Sequence, residues 1–102
     1  MRPKKTRWVS CSTEERHFIP TQQGSNPLEN ILLTLDEFET LRLCDGEGQG
    51  QAAVATQMKV HRTTVSRILA SARYKIADAL INLKEIHIAG GCCSQIIGEH
   101  SP

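Results

Sequence analysis

The segment KVHRTTVSRIL, residues 59–69, sets hydroxyl and guanidinium groups between aliphatic anchors. Arg67 carries a planar group able to donate two hydrogen bonds to guanine O6 and N7, and Thr63 and Ser66 can bond base edges. Arg62 falls where a helix would start, so its charge and the free amides beside it suit a phosphate. His61, one residue earlier, and Arg73, further along, extend the set toward the DNA backbone. This is recognition chemistry rather than bond-making. No nucleophile elbow, P-loop or HExxH pair occurs in the chain, so no enzyme is expected.

Such side chains read a duplex only if helices hold them in place. A helix-turn-helix frame laid on residues 51–70 puts Ala55 at the crowded helix contact, where a small side chain is required. Met58, Val60, Val65 and Ile68 fall on buried positions, Lys59 on the turn, and His61 at the cap of the second helix. His61, Arg62, Thr63, Ser66, Arg67 and Ala70 then face outward. One set of residues thus meets both the core requirement and the reading-face requirement.

The neighbouring sequence supplies the rest of a mainly α fold of about three helices, the third one long. In LTLDEFETLRLCDGEG, Thr34 and Glu37 have capping-box spacing and Asp36 favours the helix dipole. Leu35, Phe38, Leu41 and Cys44 share a face, predicting a helix over 35–44. Gly46, Gly48 and Gly50 follow as a loop, QAAVATQM is a second helix, and a third runs over 62–83. Its apolar stripe comprises Val65, Ile68, Leu69, Ala72, Ile76, Ala79, Leu80 and Leu83. At roughly 30 Å, this helix outruns a two-helix reading unit, so its far end must pack on the first helix or on another subunit. Tyr74, Ala77 and Ile81 form a second apolar line, which predicts a homodimer.

Residues 1–30 read as an irregular segment with a basic arm, 31–91 as the helix-turn-helix domain, and 92–102 as a mobile tail. RWVSC and EIHIAGG are each expected to give a short strand near a terminus. The 102 residues suit one domain, and the net charge is only +1. The charge is polarised, however. Arg2, Lys4, Lys5 and Arg7 open the chain without an acid. An acidic stretch from Glu29 to Glu47 follows, and Lys59, Arg62, Arg67, Arg73 and Lys75 then stand against Asp78 alone. Lys4, Lys5 and Arg7 therefore join Arg62, His61 and Arg73 as expected contacts to the DNA backbone. No run is apolar enough to span a membrane, so the protein is expected in the cytoplasm with its cysteines reduced.

Most of the chain, from MRPKKTRWVSC through LTLDEFETLRLCDGEG and RTTVSRILASARYKIADALIN to AGG, resembles uncharacterised protein family 0251. These are short prokaryotic proteins expected to bind DNA through a helix-turn-helix similar to region four of sigma factors. The resemblance covers residues 1–91 and implies a transcription regulator acting on double-stranded DNA. Relatives usually carry Gly in the turn where Lys59 stands, Ser in place of His61, and a more acidic first motif helix in place of QAAVA. A non-glycine residue in a left-handed turn costs roughly 1 kcal/mol.

Two other classes compete with a DNA-binding regulator. Cys92 and Cys93, with Cys11, His87 or His100, could make a thiol- or metal-responsive sensor, although adjacent cysteines lack the CxxC spacing of a zinc framework. A protein–protein adaptor retaining a degenerate helix-turn-helix is the other. No cofactor is expected.

Overall fold

The computed structural model describes residues 7–9, 15–21, 29–90 and 93–95. Helix α1, Leu35–Leu41, starts where the capping box requires: the Thr34 amide donates to Glu37 Oε1 at 2.9 Å, and the Thr34 hydroxyl bonds Asp36 and Glu37. It ends earlier than the sequence suggested. Arg42–Gly46 forms a widened turn in which the Glu47 amide reaches back to the Arg42 carbonyl at 2.9 Å. Widening shifts the phase of the following side chains. Leu43 therefore fills the core, and Cys44, expected on that face, is half-buried beside it. Burial pushes the Cys44 thiol up, aided by the charge of Asp45, so it packs as a small hydrophobe.

Helix α2, Gln51–Met58, packs on α3, Arg62–Asn82, through Val54, Ala55, Met58 and Val65, with Leu43 completing the cluster. Burying each of the larger side chains contributes about 1.5–3 kcal/mol. A second cluster holds the middle of α3. There Ala72 meets Leu35 of α1 and the apolar face of a small sheet, with Ile76 and Phe38 packed alongside.

That sheet has the order β2-β4-β3, with β2 at Arg16–Phe18, β3 at Asn30–Leu33 and β4 at Glu85–Ile88. Strand β2 runs antiparallel to β4 and β3 runs parallel to it, pairing Ile31 with Ile86 and Leu33 with Ile88. Strand alternation sends these four side chains inward and leaves Leu32, Glu85 and His87 on the other face. The strand expected from EIHI is present. By contrast, β2 and β3 were not anticipated, because RHF and NILL lack the polar–apolar alternation that marks EIHI. Arg7–Val9 forms β1, as RWVSC suggested, and pairs in parallel with β5, Cys93–Gln95, which had been placed in a mobile tail.

The far end of α3 thus packs on α1 and the sheet, but that cover stops at Ala79. Leu80 and Leu83, expected in the buried stripe, are 68% and 54% exposed. Beyond Ala79, Leu83 turns the chain back with φ 54°, and the sheet no longer packs closely against the helix but faces it across an opening. Leu80 and Leu83 instead line a shallow apolar groove with Phe18, Ile19 and Ile86.

Candidate nucleic-acid interface

The turn between α2 and α3 has the geometry the frame required. Lys59 adopts φ 60°, ψ 46°; its amide reaches the Thr56 carbonyl, and the Val60 amide donates to Ala55 at 3.0 Å. These two bonds close α2 in the Schellman manner, with Val60 tucked against the core. A left-handed backbone strains any residue that carries a Cβ, so Lys59→Gly should stabilise the fold by about 1 kcal/mol. A urea unfolding midpoint that falls in this variant would contradict the assigned strain.

His61 takes the N-cap position of α3 with extended backbone, and its carbonyl accepts from Thr64 and Val65. Its side chain makes no capping bond, so the cap is made by backbone alone. Val65, Ile68 and Leu69 are buried on one side of α3, while Arg62, Thr63, Ser66, Arg67 and Ala70 are exposed. The candidate reading residues therefore share one open surface. Ser66 is held in place from α2 by a hydrogen bond to Gln51, a partner that sequence reasoning missed.

The cations of α3 divide along its length. Among the described residues, Arg62 and Arg67 form no hydrogen bond or ion pair. Arg73, expected on the DNA backbone, instead donates to both carboxylate oxygens of Asp45, at 3.0 and 2.6 Å. Lys75 binds Glu37 at 2.8 Å and the Leu32 carbonyl at 2.9 Å. The free guanidiniums thus lie in the first two turns, and the neutralised cations lie beyond.

The acids of α1 do more than cap it. Glu37 is buried against Lys75 and accepts from Ser71 at 2.6 Å. Burial alone would raise its pKa, but the bonds from Lys75, Ser71 and the Thr34 amide outweigh that and hold the carboxyl below the usual range. Glu39, 1% exposed, is gripped by Arg42 through Nε at 2.9 Å and Nη2 at 3.1 Å. Spacing along α1 carried no sign of the partners of Glu37, because Ser71 and Lys75 lie on another helix.

Lys4, Lys5 and Cys92 lie outside the described residues, as do the side chains of Arg7 and Cys93. Among the described residues no three His, Cys, Asp or Glu side chains converge on a metal position. His87, once a possible partner for the tail cysteines, faces His17 across the sheet with ring centroids 5.4 Å apart. Its Nε2 lies 3.5 Å from Glu15, and His17 Nε2 lies 2.7 Å from Glu85. No helix among the described residues is long and apolar enough to cross a membrane.

These elements define a small helix-turn-helix protein whose long third helix is clasped by a three-stranded sheet. The family described as "Protein of unknown function DUF134" matches residues 1–95. A UPF0251 protein of Thermoanaerobacter sp. (strain X514) is 46% identical over 90 residues, covering 88% of this chain and 80% of its own length. Those of Methanococcus vannielii and Methanosarcina mazei are 44% and 43% identical over 88% and 89% of this chain, covering 69% and 56% of their own. The chain belongs to this UPF0251 family, which occurs in bacteria and archaea. No solved structure matches it.

Proposed function

We propose that this protein is a sequence-reading DNA-binding regulator, acting in the cytoplasm as a binding protein rather than an enzyme. Its third helix enters the major groove of double-stranded DNA. One observation carries this proposal: the unpaired cations of α3 cluster on the exposed face of its first two turns, beside Thr63 and Ser66, while those further along are neutralised. Two guanidiniums without a carboxylate partner on one exposed face leave local positive charge that suits an anion such as the DNA backbone. In this arrangement Arg67, Thr63 and Ser66 face bases, whereas Arg62 and the His61 cap face phosphate. Lys4, Lys5 and Arg7 add backbone contacts, and Arg73 drops out of the set.

Selection of bound sites from random duplexes, followed by titration of the selected and a scrambled duplex across a salt series, tests the proposal. Equal affinity for both would reduce α3 to a nonspecific anchor. No binding at moderate salt would leave the adaptor class in possession.

A second copy completes the proposed reader. Tyr74 and Ile81 are 73% and 76% exposed, and Ala77 between them is exposed as well, so none of the described residues covers this line. A two-fold partner there would present two reading helices to a palindromic site. Ile81→Asp should shift the protein from dimer to monomer in sedimentation equilibrium at micromolar concentration. A wild-type monomer, with and without DNA, would remove the dimer.

A further inference from the structure

We propose that Gln51 sets the hydrogen-bond polarity of Ser66, so that Ser66 selects an exocyclic amino group, adenine N6 or cytosine N4, in the major groove. This rests on the DNA-reading role proposed above and adds which bases one position accepts. The observation is a single bond between two helices. Ser66 Oγ donates to Gln51 Oε1 at 2.5 Å, joining the second turn of α3 to the first residue of α2.

A serine hydroxyl has one proton and two lone pairs, and by itself it bonds donors and acceptors alike. With the proton committed to Gln51, only lone pairs remain for a base. In the major groove, adenine N6 and cytosine N4 are donors, whereas guanine O6, guanine N7 and thymine O4 are acceptors. Lone pairs facing an amino group form a hydrogen bond. Lone pairs facing a keto oxygen repel it and leave both groups desolvated without a partner. A promiscuous hydroxyl thereby becomes a selector of amino bases over keto bases.

The polarity holds because neither partner is carried on a loop. Gln51 opens α2 and Ser66 lies in α3, and the two helices are locked together by buried Val54, Ala55, Met58 and Val65. Thr63, one turn earlier on the same exposed face, has no hydroxyl partner among the described residues and keeps both polarities. The two hydroxyls of the reading face are therefore not equivalent. Gln51 also retains its Nε2 hydrogens, which are available to the phosphate flanking the base that Ser66 reads.

The experiment starts from the duplex selected by the wild-type protein. Ser66→Ala locates the base pair whose preference disappears, and all four bases are then placed there in turn. Wild type should favour adenine or cytosine over guanine or thymine on the contacted strand by roughly tenfold. Gln51→Leu frees the Ser66 proton, and the preference should fall to within about twofold. Gln51→Ala, which also lacks the acceptor, should do the same while circular dichroism shows unchanged helix content. Gln51→Glu keeps an acceptor for Ser66. It should preserve the tenfold preference while weakening every duplex several-fold through repulsion of phosphate, most strongly at low salt. A keto preference in wild type would overturn the inference, and so would a preference that survives both Gln51→Leu and Gln51→Ala, with base reading by α3 left standing. A wild-type protein unable to distinguish selected from scrambled DNA would overturn base reading as well.

Discussion

Arg67→Ala should weaken binding to the preferred duplex by about 1–3 kcal/mol and relax base choice at one position. The expectation follows from where Arg67 stands and from what it lacks. It lies on the exposed face of α3 beside Ser66, and no carboxylate in the described chain neutralises it. Its guanidinium is then available for two parallel hydrogen bonds to guanine, which a scrambled site does not offer in register. Arg62→Ala provides the contrast. Arg62 opens α3, where the proposed docking puts it on phosphate, so its loss should weaken all sequences alike and lower the salt slope by about one unit. Removing residues 1–5 should act in the same sense with a larger drop. Salt-dependent titration of each variant on both duplexes separates these outcomes. If Arg67→Ala weakens selected and scrambled DNA equally, this helix holds DNA without reading it.

Lys75→Met should destabilise the fold by about 2–3 kcal/mol at pH 7. The value lies below that for a fully buried pair because the Lys75 side chain is 32% exposed, although Glu37 is only 9% exposed. With Lys75 gone, the buried Glu37 carboxylate loses its cation and keeps only neutral donors, Ser71 and the amide and hydroxyl of Thr34, and β3 loses its tie through Leu32. The sign of the pH dependence follows from the direction of the Glu37 shift. Its pKa is lowered in the fold, so the pair contributes stability above the ordinary value of 4.5 that is lost as pH falls through the lowered one. Lys75→Met should therefore cost less at about pH 4 than at pH 7, because protonated Glu37 no longer needs a cation. Glu37→Gln should remove part of the acid lability of the wild type. Urea unfolding of each variant at both pH values would show this, and a cost independent of pH would mean the ion pair is not what Lys75 contributes.

The local elements of this chain were legible because their determinants are local. Thr34 and Glu37 announced α1, Gly50 and the residue at 59 bracketed α2, and a strong apolar repeat announced α3. The left-handed residue was also readable, since a helix-turn-helix frame needs φ above zero where Lys59 stands. Where α1 would stop was not readable. A widened turn breaks the 3.6-residue phase from which Cys44 was placed, and no single residue between Arg42 and Gly46 signals it.

What the sequence by itself determined is the set of helices and the outward position of Thr63, Ser66 and Arg67, since burying Val65 and Ile68 leaves those residues no other side. Which of the polar residues remain free was decided only by the tertiary structure. Asp45 and Arg73 are 28 residues apart, and Glu37 and Lys75 are 38 apart. Both pairs form because α1 and the turn after it lie against α3. The same holds for β3 and β4, which pair in parallel across all three helices, and for the exposed Leu80 and Leu83, which lie past the end of the sheet's cover. A periodic stripe shows which way a side chain points, but whether anything lies opposite it depends on segments that folding brings together from far along the chain.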